Sequence, residues 1–250
     1  MSMQDELYVS SGPCLIVGGA KLDEEWARQY VAEIPQAMTI AADSGIDFFY
    51  NNGRKCPDLF IGDYDSADPG MVDYYADKEQ TLKMTLPTHK DWTDSEKSLM
   101  TAIEANCDPI HLIGMTGGRL DHTLGNIQML RRAADAHVHA YLADPYSRTL
   151  MVAANDADPE TGVRPVRRIT LNREKAYGKY FSLIAAGGPV TGLTVTGAQY
   201  NVADAVLAGD SSLGVSNEFA EDEVHISFDS GYLLIVESRD YHGAADRAGC

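Results

Sequence analysis

Two aspartates follow closely on an apolar run in the segment DLFIGDYDS, residues 58–66. The run 59–61 ends at a glycine, and Asp63 and Asp65 come next with one residue between them. Two carboxylates this close repel each other unless a positive charge lies between them. Because carboxylate oxygens are the ligands that magnesium prefers, this spacing predicts a divalent metal at this point of the chain.

Other acidic residues follow predicted strands or precede a predicted helix. Asp43 follows the run MTIAA, Asp121 closes the segment IGMTGGRLD, and Asp91 and Asp94 stand just before a predicted helix. Ligands of open parallel sheets bind at the carboxyl ends of the strands, so these carboxylates should converge on one edge. Magnesium held in this way usually also contacts substrate phosphates. Metal binding is the favoured interpretation for Asp63 and Asp65.

A structural explanation stays open for some of these acids. A single aspartate at a strand end is most often a turn former or a helix cap. Thr93 and Glu96 fit a capping box, so Asp94 could serve only the dipole of the following helix. Asp68, which precedes Pro69-Gly70, is interpreted in this way, as a turn former or a helix cap.

The segment GMTGGRLDHTLGN, residues 114–126, is the second candidate for ligand contact. Thr116 and the two glycines after it would let the backbone approach a ligand before a helix begins near His122, and N–H groups at a helix start bind anions. Arg119 adds a planar charged fork suited to phosphate. A simple turn is the alternative, and no Walker A or dinucleotide pattern is present. The predicted nucleotide contacts are Asp43, Lys90, Thr116, Gly117, Gly118, His122 and Asn126. Lys90 could equally pair with Asp91, and His122 could be only a helix-start residue.

Apolar runs alternate with helical patterns through the first part of the chain. The predicted strands are 14–20, 37–45, 58–66, 109–118 and 138–144, and the predicted helices are 23–34, 46–53, 93–106 and 122–136. Such alternation predicts an α/β domain with a parallel sheet covered on both faces.

The pattern changes near residue 153. Residues 154–180 carry a basic cluster and form a predicted connecting segment with a strand or two. Short strands with glycine-rich turns follow over 181–238, which predicts a smaller all-β sandwich domain. Asp229-Ser230-Gly231 is a hairpin signal. The resulting division is an α/β domain over 1–153, the connecting segment, the β domain, and a tail over 239–250.

Composition narrows the possible partners. The chain has 250 residues and a net charge of −17, which argues against nucleic acid or an anionic membrane as the main partner. Its four cysteines lack the spacing of a zinc site or a disulfide framework. The acidic N-terminus and the lack of a long apolar run favour a cytoplasmic protein without a membrane span.

Four motifs together resemble the thiamine pyrophosphokinase family. They are ADSG (42–45), GDYDS (62–66), KDWTDSEK (90–97) and GGRLDHTLGN (117–126), and VTGLTVTGAQY (190–200) and SSLGVSNEF (211–219) are similar to the β domain of that family. The resemblance covers roughly residues 14–236, while 154–180 matches poorly and the residues after 238 have no recognised counterpart.

The resemblance implies an ATP-binding α/β domain and a thiamine-binding β domain, acting as a homodimer with thiamine between the subunits. It implies transfer of the terminal diphosphate of ATP to the thiamine hydroxyl, with Mg²⁺ as cofactor. By motif, the predicted metal ligands are Asp43, Asp63, Asp65 and Asp91, with Asp94 as the alternative to Asp91, and they would hold magnesium and the triphosphate. Ser216 and Asn217 would touch thiamine, and Arg119 and Asp121 would lie in the nucleotide and substrate loop. Asp121 is a candidate general base. The residues expected to carry the reaction are Asp63, Asp65, Asp91, Asp94, Arg119 and Asp121.

Three other functions are compatible with part of the pattern. An aspartate-based phosphatase could use the D-x-D spacing, a diphosphokinase acting on a pterin alcohol could share the first domain, and a sensor could bind ATP or thiamine without turnover. Thiamine transfer explains more of the sequence, because GGRLDHTLGN and GVSNEF would have no role in the phosphatase.

Overall fold

The computed structural model describes residues 12–34, 38–53, 55–62, 69–76, 81–85, 91–157 and 159–240. The chain forms two compact units, Met1–Pro145 and Tyr146–Cys250. Asp63, Asp65, Asp68 and Lys90 lie outside the described residues. Within the described residues, no helix combines the length and apolar character that crossing a bilayer would require.

A parallel sheet with helices forms the first unit. The strands are β1 (Cys14–Val17), β2 (Met38–Ala42), β3 (Leu59–Gly62), β4 (Leu82–Thr85), β5 (Ile110–Ile113) and β6 (Ala140–Ala143). The helices are α1 (Glu24–Ala32), α2 (Ile46–Asn51), α3 (Pro69–Ala76), α4 (Asp94–Glu104) and α5 (Leu120–Asp135). The strands lie in the order β6-β5-β1-β2-β3-β4, and every neighbouring pair is parallel.

Burial explains why these short runs become strands. All four residues of β1 and all four of β3 are buried, as expected for a sheet covered on both faces. Strand order reverses beside β1, which has β2 on one side and β5 on the other. This reversal is the point at which an open α/β sheet provides a crevice for ligands.

Two elements of the first unit were not predicted, and one begins earlier than expected. Helix α3 starts at Pro69, where the fixed φ of proline suits the first helical position, and no helix was predicted in this stretch. Strand β4 lies in a stretch that looked merely polar. Helix α5 begins at Leu120 and not near His122, so Asp121 belongs to its first turn.

Two antiparallel sheets form the second unit. The strands are β7 (Ser147–Ala153), β8 (Arg167–Asn172), β9 (Tyr180–Ala185), β10 (Val190–Thr196), β11 (Val202–Leu207), β12 (Asn217–Glu218), β13 (Glu223–Phe228) and β14 (Tyr232–Ser238). One sheet has the order β12-β9-β14-β7 and the other β11-β10-β13-β8. Phe181 and Leu233 from the first sheet and Val195 and Phe228 from the second share one hydrophobic core. This packing confirms the predicted sandwich.

The unit boundary differs from the sequence-based division at 153. Strand β7 pairs with β14 along its whole length, from Ser147 opposite Ser238 to Ala153 opposite Tyr232, so it belongs to the second unit. The segment 154–180 likewise contains β8, which pairs with β13. Both segments belong to the β unit because their strands pair with strands that are distant in sequence.

The predicted hairpin at Asp229-Ser230-Gly231 is wrong. Strand β13 pairs with β8 and β10, whereas β14 pairs with β7 and β9, so this turn carries the chain from one sheet to the other. Gly231 has a φ of +97°, and a Cβ there would lie 2.5 Å from the carbonyl oxygen of Pro189. Both conditions favour glycine at a corner between sheets.

A mostly buried ion pair fixes one end of β14, and its loss should destabilise the protein. The Oε2 atom of Glu237 lies 2.9 Å from Nε and 2.5 Å from Nη2 of Arg148, with side-chain exposures of 9% and 24%. Glu237→Gln leaves the arginine charge poorly compensated, so we expect the free energy of unfolding to fall by about 2 kcal/mol. Chemical denaturation monitored by circular dichroism measures the change.

The control for this prediction is Glu24→Gln. Glu24 pairs with Arg28 on α1 at 3.4 Å, and both side chains are about half exposed. That variant should change stability by no more than about 0.5 kcal/mol. Equal losses in the two variants would contradict a special role for the Glu237 pair.

Candidate active site

The loops after β1 and β5 meet at the point where strand order reverses. A Cβ on Gly18 would lie 2.7 Å from the carbonyl oxygen of Gly114, and one on Gly114 would lie 2.6 Å from that of Gly18. Gly114 also has a φ of +66°. Only glycines allow this approach, which brings the loop 114–118 beside the loop at 18–20.

Asp43 stands at the end of β2 in an unusual backbone conformation. Its φ is +53°, and it begins a short 3₁₀ helix, Asp43–Gly45. Gly62, the last described residue before Asp63, lies beside it, since a Cβ on Gly62 would be 3.3 Å from Cα of Asp43. The strand that leads to the two predicted metal ligands therefore ends next to a third.

Gly45 holds this turn against β1, which leads to a stability prediction. A Cβ on Gly45 would lie 1.9 Å from the carbonyl oxygen of Val17. Gly45→Ala must displace backbone, so we expect a loss of about 2 kcal/mol in the free energy of unfolding. Thermal and chemical unfolding measure it.

Gly125 in α5 provides the matched control for Gly45→Ala. A Cβ there meets nothing within 4 Å. Gly125→Ala should stabilise the helix by about 0.5 to 1 kcal/mol, because alanine loses less conformational entropy than glycine. If Gly45→Ala left the free energy of unfolding unchanged, the close packing of this turn would be contradicted.

The start of α4 confirms half of the expected capping box. The hydroxyl of Thr93 accepts a hydrogen bond from the backbone N–H of Glu96 at 3.1 Å. The carboxylate of Glu96 does not complete the box, since it accepts from Nε of Arg132 at 2.7 Å. Asp94 is half-buried at the first helical position, and Asp91 is exposed two residues before the cap.

The loop 114–118 is held from one side by a buried amide. Asn126 donates from Nδ2 to the carbonyl oxygen of Met115 at 2.7 Å, so this amide positions the loop. Gly117 and Gly118 follow with φ values of +81° and +62°, and space is open beside both. Their backbone is accessible to a ligand. Binding of nucleotide by these residues stays a prediction.

Arg119 and Asp121 form a two-point ion pair at the start of α5. The distances are 3.2 Å from Nε to Oδ1 and 2.6 Å from Nη2 to Oδ2, and the side chains are 72% and 63% exposed. The hydrogen bonds from Arg119 lower the pKa of the Asp121 carboxyl below its ordinary value. Arg119 is therefore a charged fork whose orientation is set by its neighbour.

A polar groove between α4 and α5 brings several predicted residues together. It has a volume of about 520 Å³, and its lining includes Thr93, Asp121, His122 and Asn126. His122 is exposed in the first turn of α5. Residues from two predicted motifs thus share one surface, although they are distant in sequence.

The second unit contains a separate apolar cavity of about 310 Å³. Its lining includes Leu183, Tyr200, Leu213, Val215 and Asn217. This volume lies at the lower end of the range for small-molecule sites, which are mostly apolar with a few polar groups. The cavity was not predicted, because its lining comes from strands and loops whose proximity depends on the sandwich.

Ser216 and Asn217 lie beside this cavity, and Asn217 has structural contacts. Its Oδ1 accepts from the backbone N–H of Tyr200 at 3.0 Å, and its Nδ2 donates to the Tyr200 carbonyl at 2.8 Å. Ser216 has a φ of +62°, and its N–H donates to Oγ of Ser182 at 3.0 Å. Contact of either residue with a substrate stays a prediction.

Asp144 is a candidate that the sequence analysis did not single out. It follows β6 directly, as Asp43 follows β2, and its Oδ2 accepts from the hydroxyl of Thr116 at 3.0 Å. The same signal, a carboxylate at a strand end, was present in the segment VHAYLAD. The loop 114–118 is therefore held at both Met115 and Thr116.

The described residues contain no group of three histidine, cysteine or carboxylate side chains placed to hold a metal ion. Of the four predicted metal ligands, only Asp43 and Asp91 are described. The described part of the site offers backbone N–H groups in a glycine loop, an arginine fork and carboxylates at one edge of a sheet. This combination suits a polyphosphate substrate.

Two family models match the chain in succession. "Thiamin pyrophosphokinase, catalytic domain" matches residues 33–142, and "Thiamin pyrophosphokinase, vitamin B1 binding domain" matches residues 167–233. The first match lies within the α/β unit and the second within the β unit.

Known proteins show the same likeness in sequence and in structure. The chain is 28% identical to thiamine pyrophosphokinase from Bacillus subtilis over 214 residues, which are 81% of this chain and 88% of that one. It is 26% identical to thiamine pyrophosphokinase 1 of rice over 193 residues, 75% of this chain and 68% of the relative. The crystal structure of the Bacillus subtilis enzyme aligns with a TM-score of 0.76 at 25% identity, covering 92% of this chain and all of the other. Yeast thiamin pyrophosphokinase, at 15% identity over 94% of this chain and 89% of its own, has the same fold with a TM-score of 0.69. With both domain models matched in order and both units of the fold reproduced in these relatives, the chain belongs to the thiamine pyrophosphokinase family.

Proposed function

We propose that this chain transfers the terminal diphosphate of ATP to the hydroxyl of thiamine and releases AMP and thiamine diphosphate. The observation that carries the proposal is the match of a catalytic model to the α/β unit and of a vitamin B1 binding model to the β unit. A catalytic and a vitamin-binding part are both needed for this reaction.

The reaction determines what the residues near the glycine loop have to do. The thiamine oxygen forms a bond to the β-phosphorus, the bond from that phosphorus to the α,β-bridging oxygen breaks, and the hydroxyl loses its proton. Charge develops on the bridging oxygen, and preorganised donors stabilise it best. Arg119 and the backbone N–H groups of Gly117 and Gly118 are accessible for that role.

Asp121 suits orientation of Arg119 better than removal of a proton. A carboxylate with a lowered pKa binds a proton weakly, so it is a poor general base. Phosphoryl transfer depends chiefly on position and charge, and a strong base is not required. The role of Asp121 as general base stays a prediction.

The carboxylates at the sheet edge suit magnesium in their chemistry. Asp43 and Gly62 lie side by side, so the chain reaches Asp63 next to a hard oxygen ligand. Asp43, Asp63, Asp65 and Asp91 would hold the ion. When bound, magnesium would neutralise phosphate charge.

The apolar cavity of the β unit is the proposed place for thiamine. It lies within the matched vitamin B1 binding region, and Asn217 and Tyr200 contribute polar and aromatic surface. Tyr200 is 65% exposed, so its ring face is accessible to the positively charged thiazolium ring.

A homodimer is the proposed assembly. The rim of the cavity exposes Tyr200, Val206, Leu213 and Val215, each at least half exposed. Exposed apolar side chains that cluster in this way are typical of interaction surfaces. Sedimentation analysis tests the assembly. The cytoplasmic location stays a prediction from the sequence.

One assay tests the function against its rivals. Purified protein is incubated with ATP, magnesium and either thiamine or a pterin alcohol, and the nucleotide products are separated. Thiamine-dependent AMP with thiamine diphosphate supports the proposal. Three other results would each contradict the proposal and favour one of the alternative functions. They are formation of ADP or free phosphate, formation of AMP only with the pterin, and ATP binding without turnover.

A further inference from the structure

The hydrogen bond between Thr116 and Asp144 determines what kind of group the side chain of Thr116 can contact. The distance from Oγ1 to Oδ2 is 3.0 Å, and both residues are half-buried. A carboxylate can only accept, so the single hydroxyl proton of Thr116 points to Asp144. The lone pairs of the threonine oxygen then remain for other contacts, and the hydroxyl is an acceptor.

The surrounding backbone keeps Thr116 in this arrangement. The carbonyl of Met115 accepts a hydrogen bond from Asn126, and the backbone of Gly114 packs closely against that of Gly18. Thr116 therefore has a fixed main chain on one side and an ionic acceptor on the other. Gly117 and Gly118 continue from it into open space.

An acceptor hydroxyl beside a carboxylate is unsuited to phosphate. The oxygens of a polyphosphate at neutral pH are themselves acceptors, so they have no hydrogen to donate to Thr116. Among organic groups, the suitable partner is a hydroxyl or an amino group. In ATP such hydrogens occur only in the nucleoside.

The position of Thr116 in the sheet agrees with a contact to the nucleoside. Thr116 follows β5, whereas Asp43 follows β2, and β1 lies between them. Two strand spacings separate the two strand ends by about 10 Å. A nucleotide whose phosphates reach the carboxylates beside β2 and β3 can extend its nucleoside toward β5.

We infer that Asp144 is a positioning residue that makes Thr116 a hydrogen-bond acceptor for the nucleoside of the bound nucleotide. The inference rests on the proposed function for the presence of ATP. It assigns Thr116 to a different part of the nucleotide from Arg119, and Asp144 acts on the nucleotide through Thr116.

Binding measurements without thiamine test this inference. Calorimetry in magnesium gives the dissociation constants of ATP and of inorganic tripolyphosphate for the wild type, Thr116→Val, Thr116→Ser and Asp144→Ala. The ratio of the two constants cancels effects of charge that act on both ligands. The preference for ATP is defined as the dissociation constant of tripolyphosphate divided by that of ATP. Thr116→Val should lower this ratio about fivefold, which is the effect of one lost hydrogen bond. Thr116→Ser should leave the ratio unchanged.

The double variant separates positioning from a general structural effect. Asp144→Ala should lower the preference as Thr116→Val does, and the combination should lower it no further. Three ATP analogues each lack one hydrogen-bond donor of the nucleoside: 2′-deoxy-ATP, 3′-deoxy-ATP and inosine triphosphate. The analogue without the donor that contacts Thr116 should bind the wild type more weakly than ATP does. It should bind Thr116→Val as tightly as ATP does.

Two results would overturn the inference. They are an equal loss of ATP and tripolyphosphate affinity in Thr116→Val, and additive effects in the double variant. None of these measurements requires turnover. A chain that binds ATP with this preference and makes no AMP would refute the proposed function and leave the inference intact.

Discussion

Replacing Asp63 with asparagine is expected to reduce AMP formation at least about a thousandfold. Asparagine keeps the size of the side chain and removes the charge that would hold magnesium, and a metal ion contributes several kcal/mol to stabilising the transition state. Asp65→Asn should have an effect of the same size, because the two carboxylates would share one cation. Steady-state assays at saturating magnesium, ATP and thiamine measure the loss.

Asp68→Asn is the matched control for these variants. It makes the same change of charge in the same stretch of sequence, at a residue interpreted from the sequence as a turn former or a helix cap, and should retain most of the activity. Circular dichroism and the midpoint of thermal unfolding should show that all three variants are folded. Near-normal activity of either Asp63→Asn or Asp65→Asn would show that the metal assignment is wrong.

Arg119→Lys is expected to lower kcat about a hundredfold. Lysine keeps one positive charge but loses the planar fork, which can contact two phosphate oxygens at once. The loss should be larger in kcat than in the KM for ATP, because the charge on the bridging oxygen develops in the transition state. Arg28→Lys, which changes an exposed arginine that also pairs with a carboxylate, should leave both constants unchanged.

Arg119→Gln should also change the titration of its neighbour. Arg119 lowers the pKa of Asp121 through its hydrogen bonds, so the carboxyl should titrate at a higher pH in the variant. A carboxyl whose pKa is lowered by folding adds stability above its unfolded pKa, and that contribution is lost as the pH falls through the folded pKa. Since both side chains are mostly exposed, the effect on stability should be small.

Carbon-13 NMR titration of the aspartate carboxyls measures this shift. The titration midpoint of the Asp121 resonance should lie at a higher pH in Arg119→Gln than in the wild type. The midpoints of carboxyls far from residue 119 should not change. Identical titration curves for Asp121 in both proteins would show that the ion pair is absent in solution.

Local sequence patterns were sufficient to predict most strands and helices of the first unit. The runs that became β1, β2 and β3 are almost entirely apolar, and such short apolar runs favour buried parallel strands. Helix α3 was missed because Pro69-Gly70 suits both a turn and a helix start, and local sequence does not separate these. Hairpin signals have the same weakness, since Asp229-Ser230-Gly231 turns the chain equally well within one sheet or between two.

The sequence by itself determined the kinds of chemistry available: carboxylates at strand ends, a glycine loop followed by an arginine, and an α/β part before a β part. These features are local, because side-chain periodicity and turn preference depend on neighbours along the chain. Only the tertiary structure decided that Asp144 holds Thr116, that Asn126 holds Met115, and that Asn217 supports Tyr200 beside a cavity. Each of these pairs joins residues that are distant in sequence, and the long-range pairing of strands and packing of loops that brings them together cannot be derived from local sequence.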